Sequence, residues 1–155
     1  MPVAWRIVKQ RHSREAFDGE GAAKYGGRWN SHGVAVVYTS STLSLAALET
    51  LVHLTPPVTL KYVFFRIEFE DSLVERVRLA SLPPEWNAEP PGSSSMAIGD
   101  RWAWEARTAI LRVPSVLIPG ECNYLLNPSH TDFKKIRLGK PEPFALDPRL
   151  LPKRR

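Results

Sequence analysis

The chain has one cysteine in 155 residues, Cys122, so it can form neither an internal disulfide nor a metal site built from several thiolates. What remains is a small interior side chain or a lone nucleophile, the first being the commoner fate of a free thiol. Long apolar runs are also missing. "VAVVY" and "YVFF" are too short to span a bilayer, and "MPVAWRIVKQR" lacks the apolar centre of a signal peptide. A cytoplasmic protein with no membrane partner is expected. The histidines His12, His32, His53 and His130 show no ligand spacing, so no metal is expected. Repeats are absent, and residues 1–155 suit one domain with a core of its own.

The charge is unevenly placed. Residues 1–132 hold 13 Lys and Arg against 14 Asp and Glu, a net of −1, whereas residues 133–155 hold 8 against 2, a net of +6. The excess therefore sits in "FKKIRLGK", which reads as a strand, and in the basic tail at 149–155, which reads as solvated or as a docking patch. Because the basic stretch is separated from the aromatics, it does not look like a nucleic-acid groove.

Local patterns predict mixed α+β structure. "GVAVVYTS" (33–40) reads as a strand, and the Ser/Thr cluster after it can cap a helix through "LSLAALETLVHL" that stops before Pro56 and Pro57. In "KYVFFRIEF" (61–69), Val63, Phe65, Ile67 and Phe69 alternate with Tyr62, Phe64, Arg66 and Glu68, the period of a strand with one face on the core. The proline-rich and serine-rich stretch at 82–99 reads as a loop or flap. Asp100 is then placed to cap a helix at 101–112, with Trp102, Ala106, Ala109 and Ile110 at helical spacing and Pro114 as its stop. "SVLIP" (115–119) reads as a short strand, and "NYLLNPSH" (123–130) ends in a turn at Asn127 and Pro128.

Several residues suggest chemistry. In "YGGRWNSHG" (25–33), paired glycines let the backbone approach a ligand and Arg28 offers a planar fork for an anion, although paired glycines also suit an ordinary turn. Glu49 falls at the border of the helical stripe made by Leu45, Leu48, Leu51 and Val52, which marks it as a paired structural acid or a working one at a cleft edge. Tyr38 offers a ring and a hydroxyl, or is simply a core tyrosine. Ser115 reads by itself as a strand-start residue that satisfies its own backbone.

Together, "WRI", "FDGEGAAKYGGRWNSHGVAVVYTSSTLSLAALETLVHL", "PSVLIP" and "NYLLNPSH" resemble the RES domain, the toxin half of a bacterial toxin–antitoxin family named for an arginine, a glutamate and a serine. The resemblance implies a fold like that of the diphtheria-toxin-like ADP-ribosyltransferases. It also implies cleavage of NAD+ at the nicotinamide–ribose bond, with the three eponymous residues at Arg28, Glu49 and Ser115 and further site positions at Arg6 and Tyr38. Glu49 would stabilise the oxocarbenium-like sugar, Arg28 and Arg6 would hold the diphosphate or ribose, Tyr38 would stack on the nicotinamide or bond the ribose, and Ser115 would add a hydrogen bond. NAD+ is then substrate, not cofactor. The acceptor stays open: water makes a glycohydrolase, phosphate as co-substrate a phosphorylase, and a protein side chain an ADP-ribosyltransferase. Implied partners are an Xre-like helix-turn-helix antitoxin and a second copy of the chain, a homodimer within the toxin–antitoxin complex. The basic tail could steer an acidic segment of that antitoxin. A nucleic-acid-binding or RNA-cleaving toxin is the alternative of another class, motivated by the tail and the five tryptophans.

Overall fold

The computed structural model describes residues 1–54 and 61–151. Its eight strands, among the described residues, are β1 (Val3–Lys9), β2 (Val37–Ser40), β3 (Lys61–Glu68), β4 (Val74–Arg76), β5 (Ile110–Pro114), β6 (Cys122–Leu126), β7 (Arg137–Leu138) and β8 (Glu142–Ala145). The helices are α1 (Glu20–Tyr25), α2 (Leu43–Val52) and α3 (Ser93–Trp104). This is the expected α+β composition. No helix among the described residues is long and apolar enough to cross a membrane.

The strands run in the order β4-β5-β6-β2-β1-β3-β7, with β8 also on β3. β1 and β3 pair from Val3 opposite Glu68 to Lys9 opposite Tyr62, whereas β1 and β2 meet only at Trp5 opposite Ser40. The sheet is thus two halves joined at one point. One face of both halves converges on a shared core that includes Ala4, Val63, Phe65 and Ile67 from one half and Val37, Ile110 and Leu126 from the other. On the opposite face of the β5-β6-β2 half, Leu111, Val113 and Leu125 pack with Trp29, Val36 and Trp102 in a second cluster under α3.

β3 follows its alternation: Val63, Phe65, Ile67 and Phe69 are buried. Tyr62, expected on the open side, is buried as well. α2 begins where the Thr42 side chain accepts a hydrogen bond from the Leu45 amide (3.0 Å), and it ends at Val52; Pro56 and Pro57 lie outside the described residues. Its buried residues are Leu45 and Ala46, while Leu48 and Val52 are exposed, so the predicted apolar stripe of α2 is narrower than expected.

Five other expectations are corrected. Within 33–40 only Val37–Ser40 pairs in the sheet; Val34 and Val36 are buried without joining the ladder. The third helix is α3, starting at Ser93 inside the stretch read as a flap, so only the part before it (82–92) is irregular. Asp100 is then not a cap but an interior helix residue, Ala106, Ala109 and Ile110 belong to the next connection and β5 rather than to a helix, and Pro114 ends β5 and not a helix. Residues 115–119 form bends and turns, not a strand, because the Ser115 amide closes the loop on the Glu121 carbonyl (2.9 Å) and its Oγ accepts from the Ile118 amide (3.1 Å). Of "FKKIRLGK", only Arg137 and Leu138 form a strand. Of the basic tail, residues 152–155 lie outside the described residues.

Candidate functional site

The turn at 25–33 is closed from within. α1 ends at Gly26, whose φ of 72° suits glycine and whose amide donates to the Ala22 carbonyl (2.8 Å). Gly27 and Asn30 then exchange main-chain hydrogen bonds (2.9 and 3.4 Å). Asn30 is 0% exposed: its Nδ2 donates to the carbonyls of Ala22 (2.8 Å) and Val34 (3.0 Å), and its Oδ1 accepts from the Tyr38 hydroxyl (2.6 Å). That hydroxyl accepts in turn from the Trp29 amide (3.1 Å). A Cβ on Gly27 would stand 2.7 Å from the Tyr38 hydroxyl, so the second glycine exists to admit this tyrosine. Gly27→Ala is expected to displace the hydroxyl, break its bond to Asn30 and lower stability by about 1–3 kcal/mol, read as a lower urea midpoint. An unchanged midpoint would show that the turn yields without cost.

Burial pushes the Tyr38 phenol above its ordinary range. The Trp29 amide opposes that push, the Asp100 charge adds to it, and Arg28 opposes it. Tyr38 is therefore a neutral donor and acceptor in the working range of pH. Asp100 accepts from the Ser31 amide (2.9 Å) and hydroxyl (2.5 Å), which ties α3 to the end of this turn.

Arg28 meets the flap. Its Nη1 donates to the carbonyls of Trp86 (3.0 Å) and Ala88 (2.8 Å), and its Nη2 pairs with Glu89 Oε2 (3.0 Å). Trp86 stacks on Trp29, with ring centroids 6.0 Å apart. The guanidinium fork is thus filled by the chain itself. The side chain of Arg28 is 14% exposed and that of Glu89 77%, so the carboxylate is a solvated and replaceable partner.

Glu49 is half-buried on α2, and its Oε1 accepts from Asn123 Nδ2 on β6 (3.1 Å). Asn123 stands opposite Ser40, and Leu125 opposite Tyr38. Strand alternation therefore puts Asn123 and Tyr38 on one face of the sheet, and Glu49 comes to that face through Asn123. Among the described residues Glu49 forms no ion pair.

Arg6 is placed differently. It lies opposite Phe65, on the side of the shared core, and its guanidinium donates to the carbonyls of Ala16 (2.6 Å) and Tyr38 (2.9 Å). Burial lowers its pKa to about 10, with Asp18 partly compensating, so it remains charged at neutral pH. It braces the main chain of Tyr38 from the face opposite the ring. Ser115, 4% exposed, has its hydroxyl engaged by its own loop, as its local reading anticipated. That loop matters nonetheless. Ile118, Gly120 and Glu121 line an open cleft of about 520 Å³ together with Leu45 and Leu48 of α2 and with Arg112 and Tyr124, which strand alternation puts on the face opposite Asn123, so the cleft opens one turn from Glu49 but on the other side of the sheet. Cys122, at its edge, is half-buried and accepts from Arg112 Nε (3.1 Å).

The structure thus gathers Glu49, Tyr38 and the turn of Arg28 on one face, sets Arg6 behind them, and leaves Ser115 to shape the cleft. Asn30, Asn123 and the flap contacts of Arg28 were not anticipated. The one signal for Asn123 was an asparagine within a strand-forming run, a residue type that strands disfavour.

A family model described as "RES domain" matches residues 3–147. The chain is 43% identical over 155 residues to the "Prs ADP-ribosylating toxin" of Sphingobium sp. (strain YBL2), with 96% of each chain covered. It is 42% identical over 150 residues to "Toxin Res" of Yersinia enterocolitica serotype O:8 / biotype 1B, covering 96% of this chain and 99% of that one. Among solved structures it is similar to a chain of the M. tuberculosis MbcT–MbcA toxin–antitoxin complex, with a TM-score of 0.71 and 21% identity over 96% of this chain and 85% of that chain. This last likeness shows a shared fold.

Proposed function

The chain belongs to the RES domain family, and from that premise we propose that it is the toxin of a toxin–antitoxin pair, cleaving NAD+ at the nicotinamide–ribose bond and depleting it in the cell. The observation that carries the reading is the state of Glu49. Among the described residues its carboxylate is held by a neutral amide and not by a cation, which leaves it able to act on a ligand. As the glycosidic bond breaks, its electron pair leaves with nicotinamide and positive charge builds on the ribose. A carboxylate beside the sugar stabilises that charge, and an acceptor oxygen then closes the carbon. Tyr38, neutral and on the same face, offers its ring to the nicotinamide, its hydroxyl proton being already committed to Asn30. Arg28 meets the diphosphate by exchanging its flap contacts, since a dianionic diphosphate outcompetes one solvated carboxylate and two carbonyls. Arg6 contributes from behind by bracing the Tyr38 main chain, and Ser115 through the cleft-lining loop or a ligand hydrogen bond.

The test is to incubate the purified protein with NAD+ and follow nicotinamide release by chromatography, with and without phosphate. Release of nicotinamide supports the reading, and the ribose product names water or phosphate as acceptor. NAD+ that survives intact overturns it. A second reading, transfer of ADP-ribose to a protein, is favoured by the name of the Sphingobium relative and would appear as labelled protein when labelled NAD+ is supplied with lysate. The partner proposed is an Xre-like antitoxin in the same cytoplasm, with the toxin as a homodimer in the complex; the antitoxin is supported by the complex in which the similar solved chain occurs.

Arg28→Lys keeps the charge but not the fork. We expect kcat/KM for NAD+ to fall about tenfold to a hundredfold, mostly through KM, and the 82–92 segment to be cut faster in limited proteolysis. Normal kinetics in this variant would place the diphosphate cradle elsewhere.

A further inference from the structure

We infer that Asn123 is a recognition residue of this site, whose side-chain carbonyl accepts a hydrogen bond from a donor on the nicotinamide–ribose end of the dinucleotide while its amide nitrogen positions Glu49; the inference rests on the NAD+ reading above. The orientation of the amide is forced. Glu49 can only accept, so the group facing it at 3.1 Å must be Nδ2, and Oδ1 points away from it. That oxygen is buried and, among the described residues, has no hydrogen-bond partner. A carbonyl removed from water without a donor costs free energy, so it calls for an explanation, and beside a carboxylate that can act on a substrate a ligand donor is one.

The placement narrows the ligand. Asn123 stands opposite Ser40 on one neighbouring strand and Val113 on the other, on the face that carries Tyr38, and it touches the carboxylate assigned to the ribosyl cation. On the NAD+ reading its acceptor therefore lies beside the carboxylate that would face the scissile bond. Two donors of NAD+ lie close to that bond: the carboxamide N–H of nicotinamide and the 2′-hydroxyl of the adjoining ribose. Both are the same chemistry, a neutral donor to a buried carbonyl. The arrangement couples recognition to catalysis, because a ligand that seats its donor on Oδ1 also fixes the amide whose other end aims Glu49.

The experiment compares nicotinamide-type leaving-group release from NAD+, from its 3-acetylpyridine analogue, which lacks the carboxamide N–H, and from 2′-deoxy-NAD+, which lacks the hydroxyl. Wild-type protein is expected to prefer NAD+ over one of the two analogues by about tenfold or more in kcat/KM, and the analogue that fails identifies the donor. Asn123→Ala should bring that preference to within about twofold and also lower kcat on NAD+ itself. Asn123→Asp keeps an acceptor oxygen but loses the donor to Glu49, so kcat should fall while the preference persists. Wild-type protein that turns over all three alike, or Asn123→Ala that keeps the preference, overturns the inference and leaves the NAD+ reading standing. Wild-type protein that releases no nicotinamide overturns the NAD+ reading, and the inference with it.

Discussion

Glu49→Gln should lower kcat for nicotinamide release by about 10²–10³-fold while leaving the unfolding midpoint close to that of the wild type. Glutamine retains an oxygen that can go on accepting from Asn123 Nδ2, so the α2–β6 contact survives. What is lost is the formal charge, and it is lost where the sugar becomes positive. Because that charge exists only in the transition state, the effect should fall on kcat and spare KM. Circular dichroism and a urea titration establish that the fold is kept, and a steady-state assay of nicotinamide release gives the rate. Near-normal turnover in Glu49→Gln would remove the carboxylate from the chemistry and leave it a structural acid paired with Asn123. A loss of stability as large as the loss of rate would point the same way.

Why was Glu49 readable before the fold was known, and Asn123 not? The carboxylate sits on a helix whose cap, Thr42, and apolar content are local features, so its position one turn after the buried Leu45 and Ala46 follows from 3.6 residues per turn. β3 was readable for the same reason, its alternation being complete within one segment. Asn123 acquires its role only when β6 lies against β2 and a partner 74 residues away comes within hydrogen-bond distance. Arg28 was legible as an anion-binding side chain, but its present partners, 58 to 61 residues on, were not. Arg6 shows the converse. The residue was singled out, yet it spends its donors on main-chain carbonyls that no side-chain pattern could reveal.

α3 departs furthest from its local signals, and the cause is tertiary. Pro90, Pro91, Gly92 and three serines are local signals for a loop, and they do describe the stretch before Ser93. From Ser93 onward, contacts with the arginine turn take over. Ser95 is buried and donates its hydroxyl to the Arg28 carbonyl (2.7 Å), Asp100 holds Ser31, and Trp102 is buried with its indole N–H on Thr108 (3.0 Å). Two polar anchors and one tryptophan outweigh the weak helix preference of a serine run, which costs only tenths of a kcal/mol per residue.

Gly99 is where that packing is tightest, and it yields the second large prediction. A Cβ placed on Gly99 would stand 1.7 Å from the Trp29 carbonyl oxygen and 2.7 Å from its carbon, main-chain atoms that no rotamer change can move. Helix propensity alone favours alanine at this interior position by about 1 kcal/mol. Steric exclusion acts against it: α3 must lift from the turn, and overpacking a closed interface costs about 1–3 kcal/mol or more. At 1.7 Å the upper end applies, so Gly99→Ala should be net destabilising by roughly 2 kcal/mol or more, seen as a lower urea midpoint with an unchanged slope. The consequence reaches the site, because Trp29 adjoins Arg28 and its amide holds the Tyr38 hydroxyl. Nicotinamide release by Gly99→Ala should therefore be weakened under conditions where the protein is still folded, with KM raised more than kcat is lowered, since Arg28 is displaced and Glu49 is not. A variant as stable as the wild type and equally active would mean that α3 is not seated against the arginine turn.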